Sequence, residues 1–221
     1  MFEKIRFSTK LLVVVTATAL LSGFALIAVL HKVKNDNAIP LFTEGQPTLG
    51  KDNAPVHVIV FEDPRCNNCI IYHRKTFASL KKEFIDTGKV RYTVFLVSAL
   101  KQSATISNYL FCIHAQSSQA FFTFLDAYYS NPPLALTDAQ LLEDLYQQAK
   151  GLNLQIDLAQ LTSCSQEVSF GKKVMDNTNY ARAIMGGVIK TPSVFVNGIQ
   201  LTRPSYSELK KAINHELNND E

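Results

Sequence analysis

Cys66 and Cys69 are separated only by Asn67 and Asn68, and a Cys-x-x-Cys pair can serve either redox chemistry or metal binding. Its context favours redox chemistry. The pair follows directly on an apolar, β-rich run and opens a segment of helical periodicity. At a helix start the backbone N–H groups lack partners and the macrodipole is positive, so a thiolate on Cys66 is stabilised. The pKa of a thiol so placed falls from about 8.5 to roughly 3.5–7.5. The three-residue offset brings Cys69 onto the same turn. Cys66 is then the nucleophile toward an incoming disulfide and Cys69 the resolving thiol. Run in reverse, the pair donates its disulfide to a substrate. The dithiol is itself the redox group, so this chemistry requires no metal or nucleotide cofactor. A zinc site would want a second ligand pair, and the string Cys66, Cys69, His73 has no fourth ligand at ordinary spacing. A purely structural Cys66–Cys69 bridge would close too short a loop to add much chain-entropy stabilisation.

A second feature lies far along the chain. Thr191 and Pro192 stand immediately before a β-run and an Asn197-Gly198 turn. An X-Pro bond here is either cis or an ordinary trans proline that starts a strand. The cis form would turn the Thr191 backbone outward beside the cysteines, where it could pair with an extended substrate strand. The other two cysteines, Cys112 and Cys164, are either a disulfide, as an oxidising compartment favours, or buried free thiols behaving as small hydrophobes. Paired, they would close about 50 residues and stabilise by roughly 4 kcal/mol. His73, one turn beyond Cys69, could tune it, but such a residue is more often solvated. His57 and His114 read as packing or surface residues, and Lys172-Lys173 as a solvated helix face.

The elements that position these residues can be read from periodicity. Residues 56–61 form a buried strand, bounded by Pro55 and by Asp63-Pro64. A helix follows from Cys66 to about Ile85, with Ile70, Phe77, Leu80 and Phe84 near one face, and Gly88 stops it. Residues 90–97 are a second strand, and the strand–helix–strand order implies a parallel pair. Helical patterns then take over at 103–116, 120–129, 138–150, 155–164 and 167–185, with a capping-type start at Thr137 to Gln140. Phe111, Phe121, Phe122 and Phe124 read as core of this block. Strands at 193–196 and 199–202 flank the Asn-Gly turn, and a last helix runs over 205–217. The domain plan is an α/β unit over 49–101 and 186–221, with 102–185 inserted as a helical domain.

Charge is unevenly placed. The formal net charge is +3, but Lys4, Arg6, Lys10, Lys32 and Lys34 flank one uncharged run at 11–30. From Asn35 onward 17 Lys and Arg face 18 Asp and Glu. Without clustered cations, a broad nucleic-acid surface is not indicated, and no Walker or dinucleotide glycine motif is present. A twenty-residue uncharged helix spans about 30 Å, the thickness of a hydrocarbon core. With basic residues ahead of it, residues 1–34 form a cytoplasmic tip and transmembrane anchor, or alternatively a cleavable signal peptide. Either way 35–48 is a linker and everything beyond is exported, on the extracytoplasmic or periplasmic face, anchored in the cell membrane if uncleaved.

Taken together, Pro47-Thr48-Leu49-Gly50, Asn53-Ala54-Pro55, the strand into Cys66-Asn67-Asn68-Cys69, the helical insertion and the run from Thr191 to Gly198 resemble the DsbA-like branch of the thioredoxin superfamily. The resemblance covers about 47–217. It implies a thioredoxin fold with an inserted helical domain, a cis Pro192 stacked against Cys66, and a disulfide in the region of Cys112 and Cys164. It implies an exported thiol–disulfide oxidoreductase acting on proteins that carry thiols or disulfides, reset by a membrane redox partner. The donor direction is expected. The alternatives are a reductase or isomerase kept reduced by a membrane carrier, or a non-catalytic binding module. Two departures stand out. The family often carries a buried carboxylate six residues before the first cysteine, where this chain has Val60; Glu62 shares a side with Val60 by strand alternation, and Asp63 does not. The Asn67-Asn68 pair also lacks the His that favours the reduced form in strong oxidants of the family.

Overall fold

The computed structural model describes residues 38–134 and 137–219. The apolar run 11–30, and with it the anchor or signal-peptide reading, lies outside them. Among the described residues no helix is long and apolar enough to cross a membrane.

The chain runs β1 (Thr48–Leu49), β2 (Val56–Glu62), α1 (Asn67–Leu80) continued by a π-helical turn (Lys81–Ile85), and β3 (Val90–Leu96). Five helices follow: α2 (Ser103–His114), α3 (Ser118–Ser130), α4 (Asp138–Gly151), α5 (Leu158–Gln166) and α6 (Gly171–Ile184). Then come β4 (Ser193–Val196), β5 (Ile199–Gln200) and α7 (Tyr206–Asn219). The five strands form one sheet in the order β1-β3-β2-β4-β5. β2 and β3 pair in parallel, as the crossover through α1 requires. β4 lies antiparallel to β2, with Val60 opposite Val194 and Phe61 opposite Ser193. That register carries the residues just before β4 to the same end of the sheet as the residues just after β2.

The central strands are buried on both sides, so their sequences are almost continuously apolar. Val56, Val58 and Val60 face the main core with Tyr92, Val94 and Leu96, while Phe61 and Phe95 stack on the opposite face at 4.5 Å between ring centres, against Phe195 and Tyr180. The main core continues into the helical segment without a break. Phe122 of α3 stacks on Phe77 of α1 at 6.1 Å, and Phe111, Phe121 and Phe124 lie buried behind it. Cys112 of α2 and Cys164 of α5 are bonded, with Cα atoms 5.9 Å apart and a sequence separation of 52.

Several boundaries differ from the periodicity. The helix after the dithiol is not α-helical to Ile85: its last turn widens at Lys81. Helix α5 starts three residues later than its pattern suggests, because Asp157 caps it through the N–H groups of Ala159 and Gln160, and α6 starts four residues later, at Gly171. At α4 the expected cap is present in full, with Thr137 and Gln140 bonding each other's backbone N–H. β1 is too short for any periodic signal. The stretch leading to it lies along the body rather than free: Phe42 N–H donates to the Tyr180 hydroxyl, Gln46 bonds Asn177, and the Pro47 carbonyl accepts from Val94.

Candidate active site

β2 ends at Glu62, and the next four residues turn the chain into α1. Asp63 makes that turn rigid. Fully buried, its carboxylate accepts from the N–H groups of Arg65, Ala99 and Leu100 at 2.8, 2.7 and 3.1 Å and from the Ser103 hydroxyl at 2.5 Å. One side chain thus ties the end of β2 to the end of β3 and the start of α2. Arg65 reaches the other way, to the Pro133 carbonyl and the Gln102 side chain, and Tyr128 donates to the Pro64 carbonyl. The turn leaves Cys66 at the N-cap of α1, its carbonyl accepting from Cys69 and Ile70 at 3.0 and 3.1 Å. No acidic residue occupies the first turn of that helix, so nothing competes with a thiolate for its positive end.

Both thiols are free. Cys66 is half-buried, and Cys69 has no exposed surface. A hydrogen bond from Cys69 is the main cause that lowers the Cys66 thiol to about 5. Partial burial opposes it, and the Thr191 side chain and the N–H groups of Cys69 and Asn68 add to it. Cys69 moves the other way, far above an ordinary thiol, first because it is buried, then because it donates to Cys66, and then because Glu62 is near. The pair therefore consists of a half-buried thiol that is a thiolate at neutral pH and an inner thiol that holds its proton.

The Thr191–Pro192 bond is cis. The Cys66 thiol lies 3.4 Å from the Thr191 carbonyl, to which it can donate. The loop is held from behind: Ser193 donates to the Lys190 carbonyl, and Asn197 takes the His57 N–H while its own N–H donates to the His57 carbonyl. Asn197 and Gly198 both have positive φ, +46° and +82°, as an Asn-Gly hairpin turn demands. The structure thus brings Cys66, Cys69, Thr191 and Pro192 to one place. It sets Cys112 and Cys164 apart from them, in the helical segment.

Glu62 lies beneath the dithiol. It is fully buried and accepts from the Tyr129 hydroxyl at 2.8 Å and the Tyr92 hydroxyl at 3.5 Å. Burial raises its pKa, against His73 and the two tyrosines, and the nearby Cys66 raises it further. The tyrosines come from β3 and α3, far in sequence, and nothing in the local pattern announces them. His73 is a correction to the sequence reading. It is not solvated but 2% exposed, stacked on Phe77 at 4.5 Å, with Nε2 3.1 Å from Asp126. Lys173 is a second: it lies 5.5 Å from the centre of the Phe111 ring, and burial lowers its pKa. His57 sits on the other face of the sheet, 2.8 Å from Thr93. Among the described residues no group of three or more His, Cys, Asp or Glu side chains could hold a metal ion.

This fold and this dithiol define a thioredoxin-type protein, and comparison with known proteins agrees. The thioredoxin family model matches residues 43–215. A probable disulfide bond formation protein D of Bacillus cereus is 32% identical over 187 residues, covering 83% of this chain and 85% of that one. Disulfide bond formation protein D of Bacillus subtilis is 26% identical over 187 residues, covering 79% and 78%. The crystal structure of oxidised BdbD from Bacillus subtilis superimposes with a TM-score of 0.72 at 25% identity, over 82% of this chain and 97% of that one. Chlamydia trachomatis DsbA shares the fold at a TM-score of 0.73. The chain belongs to the thioredoxin superfamily, and within it to the DsbA-like thiol–disulfide oxidoreductases.

Proposed function

We propose that this protein is an exported disulfide donor that oxidises pairs of thiols in other proteins through Cys66 and Cys69, with Thr191 and Pro192 facing the substrate. The observation that carries this reading is the opposed titration of the two thiols, Cys66 lowered to about 5 and Cys69 raised. A nucleophile whose thiolate is strongly stabilised favours the reduced dithiol, which makes the disulfide form an oxidant. In that form a substrate thiolate attacks the Cys66 sulfur. The Cys66–Cys69 bond breaks, and Cys69 leaves as a thiolate that takes a proton in its buried position beside Glu62. A second substrate thiolate then attacks the substrate's own sulfur in the mixed disulfide and expels Cys66, whose low pKa makes it a good leaving group. Two electrons have passed from substrate to dithiol, and a membrane redox partner that accepts them resets the enzyme.

The charge placement supports a topology in which residues 1–34 anchor the chain in the cell membrane, 35–48 link it to the catalytic part, and 49–101 with 186–221 form the thioredoxin unit around the inserted 102–185. The test is the reduction potential of the Cys66–Cys69 pair in the full chain, by equilibration with glutathione and mass spectrometry of each cysteine pair. A value of about −120 to −200 mV is expected for a donor. The Asn67-Asn68 pair, which lacks a histidine, favours the alternative: a value of about −270 mV would make the protein a reductase. Absence of reversible exchange at this pair would leave only a binding module.

A further inference from the structure

Beside the dithiol runs a groove of about 500 Å³ between the outer face of α1 and the loop that leads into α7. Thr191 and Pro192 form part of its wall, so it opens onto the loop that meets Cys66. Its floor is apolar and aromatic: Ile71, Tyr72, Pro204 and Tyr206 line it, and Ile71 keeps 41% of its surface exposed. Two cations stand over this floor. Lys75 follows Ile71 by one turn of α1, and Arg203 faces it from the loop. No acidic side chain lines the groove.

Lys210, whose ammonium lies over the Tyr206 ring, is paired with Glu83, whereas the two cations of the groove are uncompensated. Lys75 and Arg203 are exposed, and neither side chain has an ion pair or hydrogen bond among the described residues. This does not reflect a basic chain, since from Asn35 onward acidic residues slightly outnumber basic ones. Lys190, also exposed, adds a third positive charge next to Thr191. A segment entering the groove meets an apolar surface with positive charge on both sides.

We infer that the groove selects substrate segments that carry an acidic side chain, next to an apolar one, beside the reactive cysteine. This specificity rests on the oxidoreductase reading of the dithiol and adds a preference to it. An apolar side chain covers the Tyr72 and Tyr206 surface, and a neighbouring carboxylate meets Lys75 or Arg203. A basic residue at that position is repelled by both.

The test uses the full chain in non-ionic detergent, oxidised at Cys66–Cys69. Short dithiol peptides are compared that differ only in Asp, Asn or Lys beside the cysteine, with oxidation read by acid quench and mass spectrometry. At low salt the Asp peptide is expected to react about two- to fivefold faster than the Asn peptide, and the Lys peptide more slowly than either, as exposed ion pairs allow. The spread should collapse in 1 M salt, where charges are screened beyond about 3 Å. Lys75→Gln with Arg203→Gln should remove the preference, and Lys75→Glu with Arg203→Glu should invert it. Glutathione equilibration of each variant shows whether its dithiol is intact. Equal rates for the three peptides on the unmodified protein would overturn the inference while leaving the oxidase standing. Failure to oxidise any peptide, with no exchange with glutathione, would overturn the reading of the site and this specificity with it.

Discussion

Cys66 and Cys69 sit one helical turn apart and titrate in opposite directions because Cys69 donates a hydrogen bond that stabilises the Cys66 thiolate, while burial and that same bond hold the proton on Cys69. With the Cys66 pKa at about 5, alkylation of the reduced protein should rise with a midpoint near pH 5 and saturate before pH 7. Mass spectrometry should find the label on Cys66 alone, with Cys69 protected throughout. Glu62→Gln is expected to leave that midpoint near 5 while changing the pH dependence of the second step, resolution of a mixed disulfide by Cys69. An unchanged profile would remove Glu62 from the chemistry. The place of the dithiol at a helix start was legible in the sequence because its spacing and its position after a strand are local signals. Glu62 was legible only as a candidate, by strand parity. Its buried state depends on Tyr92 and Tyr129, which arrive from other elements. His73 was misjudged for the same reason: its helix face is covered by α3, and only tertiary packing shows that.

Among the elements, the turn between β2 and α1 is tied to the end of β3 and the start of α2 by one carboxylate, that of Asp63. Asp63→Ala would leave the buried N–H groups of Ala99 and Leu100 without their acceptor, at a cost of about 1–3 kcal/mol each. Urea denaturation should show a loss of that order, and the Cys66 midpoint should drift upward as the helix terminus loosens. Replacing both Cys112 and Cys164 with Ser releases a 52-residue closure and should cost about 4 kcal/mol in the chain-entropy model. Dithiol exchange should survive it below the lowered melting temperature, since these residues lie apart from Cys66. Helix α4 could be read from sequence down to its cap, because a capping box is a local device. The π-helical turn after Leu80 could not, because its residues keep an ordinary helical pattern.

At the scale of the molecule, redox state and stability are linked through pH. In the reduced form Cys66 has a folded pKa near 5, against about 8.5 in an unfolded chain. Between these values the unfolded state holds one proton more, so reduced-state stability rises with pH from about 5 to about 8.5. Above that the raised Cys69 reverses the sign, because the folded protein then keeps the proton that the unfolded chain loses. Thermal unfolding of the oxidised and reduced forms across this range should show the reduced form gaining on the oxidised one up to about pH 8.5 and losing beyond it.

The sheet has one more consequence. Its two borders, β1 and β5, are each two residues long. A long bare border is a template onto which any extended polypeptide can add itself. Borders this short give such a polypeptide little to add itself to, so the sheet offers no long flank on which an aggregate could grow.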